Sequence, residues 1–280
     1  MLKGSFCKKS YRILLEDLSV VALLVVCMGA HAEEQPSVRA TPGSEPSSSA
    51  PSVGPIRDQK ALDSLKRMSE TLSATKSFTY RSRGTIELPA STGQFISVFG
   101  DSEVALERPN KLHVEVTGEV SNFELYYDGK TVTSYAPKDN IYSSSDAPST
   151  IDETIEFLQK HAGIYFPSSY LMVANPYALL ARDLTSGFVV GPAMVDGSAC
   201  EHLAFRKSDS NWEIWIENKS ALPRRLFVTF TTVPNFPHLW VDLSGWNLTP
   251  TLAASRFHFT KPVGAKQFDF GAAEEAPRAH

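Results

Sequence analysis

The run from Asn211 to Val233 limits the fold more than any other part of the chain. Its first half alternates, with Trp212, Ile214 and Ile216 on one side and Glu213, Trp215 and Glu217 on the other. Its second half repeats the pattern, setting Leu226, Val228 and Phe230 against Arg225, Phe227 and Thr229. A period of two in both halves marks half-buried strands. A polar link containing Pro223 turns the first onto the second. The result is a long antiparallel hairpin. One face is apolar and needs cover; the other is polar but carries Trp215 and Phe227.

The same alternation recurs along the chain. Arg57 to Lys76 reads as a helix, with Leu62, Leu65, Met68 and Leu72 on one stripe and Asp58 as its cap. Phe78, Tyr80, Ile86 and Leu88 then share one strand parity, continued by Ile96, Val98, Val104 and Leu106 past a bend at Gly100. Leu112, Val114 and Val116 alternate with His113, Glu115 and Thr117. Asp128-Gly129 is a tight turn between strands at Phe123–Tyr127 and Thr131–Tyr135, and Asn140–Tyr142 adds a short one. The period then changes. Thr150–His161 is helical, and Asn175-Pro176 opens a second helix over Tyr177–Asp183. Strands resume at Gly187, turn at Asp196-Gly197 and run through the Trp212 hairpin to Leu239–Trp246.

Short turns join neighbouring strands and no strand–helix–strand repeat occurs, so the sheet is antiparallel. The expected fold is α+β: an open antiparallel half-barrel of about ten to eleven strands with helices covering its concave face. Residues 57–270 form this domain.

The first 32 residues read as an export signal: a basic start (Lys3, Lys8, Lys9, Arg12), a short apolar run from Leu18 to Met28, and Ala30-His31-Ala32 as the cleavage site. That run is too short to span a bilayer. Cys27 is read as part of this apolar run and not as a lipidated cysteine, because bulky Val26 precedes it. Residues 33–56 carry Pro36, Pro42, Pro46, Pro51 and Pro55 among serines and form a disordered linker. Residues 271–280 form a frayed tail. Export followed by cleavage after Ala32 takes the protein out of the cytoplasm, with Cys200 as its only mature cysteine and no intramolecular disulfide.

The residues that carry chemistry elsewhere do not assemble a reaction here. Glu213 and Glu217 share a strand face, but four residues separate their backbones by roughly 13 Å, beyond the about 5–9.5 Å of a glycosidase pair. Cys200 and His202 share a face without a third orienting group. His113 with Glu115, and the isolated His238 and His258, fall short of a metal's three or four convergent ligands. No phosphate loop, serine elbow or His-Glu-x-x-His occurs, so no enzyme, metal or cofactor is expected. A net charge of −4 without a basic stripe argues against nucleic acid.

Several strings resemble a bacterial family of predicted periplasmic proteins, the domain of unknown function numbered two thousand and ninety-two. They are Ala61 to Met68, Arg108-Pro109-Asn110-Lys111-Leu112, Tyr127-Asp128-Gly129-Lys130-Thr131, Val195-Asp196-Gly197 with Cys200 to Arg206, Trp212 to Glu217, and Leu222-Pro223-Arg224. That family in turn looks like the LolA, LolB and RseB lipoprotein-carrier superfamily. The resemblance implies a half-closed barrel lidded by helices over an apolar cavity for acyl chains. The carriers' ligand-handling arginine has Arg81 and Arg83 as its nearest counterparts by position.

The expected function is a periplasmic, non-enzymatic binding or carrier protein for a lipid, acyl chain or lipoprotein, with peripheral membrane contact. The expected cavity lining is Phe78, Tyr80, Ile86, Leu112, Val114, Val116, Phe157, Tyr165, Phe166, Tyr177, Leu180, Trp212, Ile214 and Phe230. The alternative is an envelope-stress or assembly module, RseB-like and without bound lipid, that grips another envelope protein through Trp215, Trp240 and Trp246 on the polar parity. Against that patch stands a plainer expectation: the tail from Thr249 to Phe270 crosses back and covers these tryptophans.

Overall fold

The Trp212 hairpin has the expected register: Val228 lies opposite Trp212 and Leu226 opposite Ile214. Trp212, Ile214, Ile216, Leu226, Val228 and Phe230 are all buried, so the alternation names the core face correctly. The computed structural model describes residues 57–90, 92–164 and 166–268. The expected export signal with Cys27 and Ala32, the expected 33–56 linker, Tyr165 and the expected 271–280 tail lie outside the described residues.

In chain order the elements are α1 (Gln59–Ser73), β1 (Ser77–Pro89), β2 (Phe95–Glu107), β3 (Lys111–Gly118), β4 (Asn122–Tyr127), β5 (Thr131–Ala136) and β6 (Ile141–Asp146). Then come α2 (Ile151–Ala162), a 3-10 turn at Ser169–Leu171, α3 (Pro176–Leu180), β7 (Ser186–Val195), β8 (Ser198–Arg206), β9 (Ser210–Glu217), β10 (Pro223–Phe230) and β11 (His238–Asn247). A second 3-10 turn (Ala254–Phe257) and the two-residue β12 (Lys266–Gln267) close the described chain. All strands belong to one open sheet of order β12-β6-β5-β4-β3-β2-β1-β11-β10-β9-β8-β7. Every pairing is antiparallel except β12 on β6. Among the described residues the sheet has twelve strands, above the expected ten to eleven, because Lys266–Gln267 adds β12.

The helices form where capping and apolar spacing agree. Asp58 caps α1 by accepting from the amide of Lys60 at 2.9 Å, and Ala61, Leu65, Met68 and Leu72 have no exposed surface. Thr150 caps α2 by accepting from the amide of Glu153, whose carboxylate in turn accepts from the Thr150 hydroxyl, and Gly163 ends the helix at φ +62°. Asn175 caps α3, with Pro176 in the first turn. These helices and both halves of the sheet share one core, which joins Val132 on β5 to Leu203 on β8. An open sheet can place such distant strands in one core only by curving around the helices.

Two expectations about the outer face need correction. Trp246 does not lie with Trp215 and Trp240. The β1–β11 register slips by one residue between the Thr79–Asn247 and Arg81–Ser244 pairs, and Gly245 sits at φ +62°. This bulge reverses the parity of the strand beyond Gly245. Trp246 therefore stacks on Tyr80, with centroids 4.6 Å apart, and its Nε1 donates to the carbonyl of Pro223 at 3.1 Å. The tail also takes a different path from the expected one. Phe257 is buried and Phe259 lies 5.1–5.6 Å from the rings of Tyr126, Tyr135 and Tyr142, on the outer face of β4–β6. These three tyrosines form an aromatic cluster on which Phe259 packs.

Candidate functional site

Strand register builds the concave face of β1–β5 as rows. The lowest row, Phe78, Leu106, Leu112, Tyr127 and Val132, has no exposed surface. A side chain with none touches no void wide enough for water, so this row is filled. Above it Tyr80, Val104, Val114 and Leu125 are exposed by 1% or less. The next row is Ser82, Ser102, Val116 and Phe123, with the serine hydroxyls 2.7 Å apart. Then comes a row of Gly84, Gly100 and Gly118 in direct register. Beyond the glycines, Ile86 pairs with Val98 and Leu88 with Ile96, which is 44% exposed.

The glycine row leaves a trough. A Cβ on Gly84 would meet only backbone oxygens, at 3.8 and 3.9 Å; one on Gly100 would meet only backbone, at 3.6 Å. No side chain from the helices packs onto either glycine. Small floor residues between apolar walls make a concave surface that is accessible and poorly filled. The row has a mechanical effect too, since glycines in register let a sheet bend sharply.

The expected lining residues divide accordingly. Phe78, Tyr80, Leu112, Val114, Phe166, Leu180, Trp212, Ile214 and Phe230 belong to the closed core, each exposed by 5% or less. Ile86, Val116, Phe157 and Tyr177 are half-buried and pack around its margin.

Polar bonds tie the sheet and the first helices to the segment covering the core. Tyr80 donates its buried hydroxyl to Ser168 Oγ at 2.8 Å. Burial raises the Tyr80 pKa, so the phenol stays neutral. Arg108 donates from Nη1 to the carbonyl of Met172 at 2.9 Å. Asp152 accepts from the amide of Ala174 at 2.9 Å, Ser73 donates to the Ala174 carbonyl at 2.8 Å, and Ser69 Oγ accepts from the amide of Tyr177 at 2.9 Å.

Arg108 is the residue that sequence reasoning missed. Its guanidinium lies 5.8 Å from the Phe78 ring centroid, and its Nε and Nη2 are buried without a partner among the described residues. Burial lowers its pKa, and Asp152 offsets part of that effect. Arg81 and Arg83, the expected counterparts of a ligand-handling arginine, are exposed on the outer face and pair with Glu103 and Asp101, each at 2.8 Å. The signal for Arg108 was its place at the turn before Pro109-Asn110, between two core strands.

The enzyme-like residues are taken up by structure. Glu213 pairs with His202 at 2.7 Å, and Glu217 with Arg224 at 2.8 Å and the Ser220 hydroxyl. Those bonds, Ser220 first, lower the Glu217 pKa against the effect of burial. Cys200 is fully buried, which raises its thiol pKa, with Glu217 adding to the rise. Glu201 faces the core, bound to Lys60 at 2.8 Å and to the Ser64 hydroxyl. Burial pushes its carboxyl up, but these partners outweigh that and hold it low.

Among solved structures, the chain is similar to the lipoprotein LppX of Mycobacterium tuberculosis at 12% identity, covering 70% of this chain and 100% of that one, with a TM-score of 0.45. It is similar to LprF of Mycobacterium bovis at 14% identity, covering 71% and 98%, with a TM-score of 0.41. The MucA/MucB complex of Pseudomonas aeruginosa matches at 14% identity, covering 72% of this chain and 61% of that chain, with a TM-score of 0.40. A search of curated proteins found no match. The family model described as "Predicted periplasmic protein (DUF2092)" matches residues 61–271, from α1 to beyond β12. On that match, which spans most of its length, the chain belongs to the DUF2092 family of predicted periplasmic proteins.

Proposed function

We propose that the protein is a non-enzymatic periplasmic carrier that holds an acyl chain in the trough over Gly84, Gly100 and Gly118. The open space over Gly84 and Gly100 is the observation that carries this reading, because a sheet face built only for packing would have side chains there; at Gly118 the backbone oxygens of Phe99 and Ser121 would stand 3.2 Å from a Cβ and themselves call for glycine. From the Ser82 row to the Leu88 row the trough runs six residues, roughly 20 Å along the strands. That length suits one extended acyl chain. Each methylene buried contributes about 0.8 kcal/mol, so eight contribute about 6 kcal/mol. The neutral bonds holding the covering segment contribute about 1 kcal/mol each. The two totals are of the same order, which makes uptake and release reversible as the segment shifts.

The open end of the trough supports contact with a lipid surface. Strand direction puts the β1–β2, β3–β4 and β10–β11 connections at one end of the sheet. Ile96, Val120 and Phe236, in or beside these connections, are 44%, 67% and 56% exposed. An apolar rim at the mouth lets a chain pass from bilayer to trough without crossing water.

The test is solvent extraction of protein purified from its native envelope, followed by mass spectrometry. The reading expects an acyl lipid in near-stoichiometric amount. Protein that carries none, and that takes up no fluorescent fatty acid, would contradict it.

A further inference from the structure

We propose that the outer face of the sheet carries a second binding site, a groove across β2, β1, β11 and β10 that takes a neutral saccharide chain. The groove has a volume of about 420 Å³ and is lined by Thr85, Glu87, Ser97, Phe227, His238 and Trp240. Register assembles it: Thr85 and Phe227 each lie opposite Trp240, and Glu87 lies opposite Ser97. It is on the face of the sheet opposite the trough and does not depend on the carrier reading.

Its aromatic wall is fixed in place. Phe227 meets Trp240 edge-on, with centroids 5.6 Å apart, and stacks on His238 at 5.1 Å. Trp240 Nε1 donates to Asp242 Oδ2 at 3.0 Å, and the Arg225 guanidinium sits 4.4 Å from its ring centroid. Rings held this way lose little freedom on binding. The polar wall is available. Glu87 Oε2 accepts from the backbone amide of His238 at 2.9 Å and lies 2.8 Å from its Nδ1. Among the described residues, Glu87 Oε1 and the hydroxyls of Thr85 and Ser97 have no hydrogen-bond partner.

The mixture selects the ligand class. An anion would find no lysine or arginine in the lining, and its one imidazole is committed to Glu87. A cation would compete with Arg225, which already occupies a face of Trp240. An acyl chain would strip water from a carboxylate and two hydroxyls without replacing their bonds. A peptide strand would need an unpaired sheet edge, whereas β1 and β11 are paired on both sides. A pyranose meets every requirement. Its C–H face packs on an aromatic ring, and its rim of hydroxyls donates to Glu87 Oε1 and exchanges hydrogen bonds with Thr85 and Ser97. A groove open along its length fits a chain of such rings.

The experiment is calorimetric titration of the purified full-length protein with chitotetraose, cellotetraose and maltotetraose, with tryptophan fluorescence as a second readout. At least one should bind, and Glu87→Gln and Trp240→Phe should each weaken it about tenfold or more. Both variants nearly preserve size, and circular dichroism checks their fold. Ser97→Ala, at a site that makes no internal hydrogen bond, should weaken binding by a smaller factor and guards against a folding artefact. Failure of all three sugars to bind up to about 5 mM would overturn the proposal. So would binding that none of the variants weakens, or Glu87-dependent binding of a lysine-rich peptide in place of the sugars.

Discussion

Arg108 reaches from the turn after β2 to the carbonyl of Met172, joining the sheet to the segment that covers its core at 2.9 Å. A charged donor in such a bond contributes about 1.5–3 kcal/mol. Arg108→Met keeps an unbranched apolar stem and removes the donors together with the guanidinium near Phe78. Amides of residues 172–175 and of Tyr177 should then exchange with solvent about tenfold faster or more, as local opening becomes easier. Unchanged exchange would show that Arg108 does not latch this segment.

Trp246 and Trp215 differ in sheet face, and truncation should separate them. Trp246→Ala removes the ring stacked on Tyr80 in the core and should cost about 3 kcal/mol. Trp215 stacks on His202 at 4.0 Å on the outer face. Trp215→Ala should cost about 1 kcal/mol. Urea denaturation of the two variants checks the order, and equal losses would contradict the face assignment.

His113 gives a pH dependence of known sign. His113 is 7% exposed, its ring packs 4.8 Å from Tyr126, and its buried Nδ1 has no hydrogen-bond partner among the described residues. Burial first, then Arg256, lower its pKa below the ordinary 6.5, while Glu124 and Glu103 act the other way. Below that ordinary value the unfolded chain binds a proton that the folded one resists. The native state is therefore favoured fully above about pH 6.5 and loses stability as pH falls toward the lowered folded value. His113→Asn should be less acid-sensitive than the wild type between about pH 7.5 and 5. Equal sensitivity in urea midpoints would contradict this.

Cys200 has no exposed surface and a raised pKa, so it should behave as a buried, unreactive thiol. Iodoacetamide should leave the native protein unmodified and label it fully in denaturant. Rapid native labelling would reopen a catalytic role for this cysteine.

Much of the fold was legible because its signals are local. Alternation in Trp212–Ile216 and Leu226–Phe230 names the buried face directly. Asp58 and Asn175-Pro176 mark helix starts within a few residues of the turns they cap. The failures share a different property. Trp246 was misassigned because a bulge at Gly245, visible only in pairing with β1, reverses the parity. The tail was misdirected because the tyrosines that hold Phe259 lie on distant strands. Gly84, Gly100 and Gly118 are far apart in sequence, and only register aligns them into a row. Arg108 looked like an ordinary turn residue until the covering segment was seen above it.

The central claim, an acyl chain over the glycine row, is tested most directly by filling that row. Gly100 makes only ordinary contacts where a Cβ would stand, so a larger side chain has backbone room. In a strand it also removes the conformational entropy penalty of glycine, roughly 0.5–1 kcal/mol. The measurement is fluorescent fatty-acid binding by Gly100→Leu beside its thermal melt. The account predicts a melting temperature at or above that of the wild type and fatty-acid affinity reduced about tenfold or more. Wild-type affinity in a folded Gly100→Leu protein would contradict it.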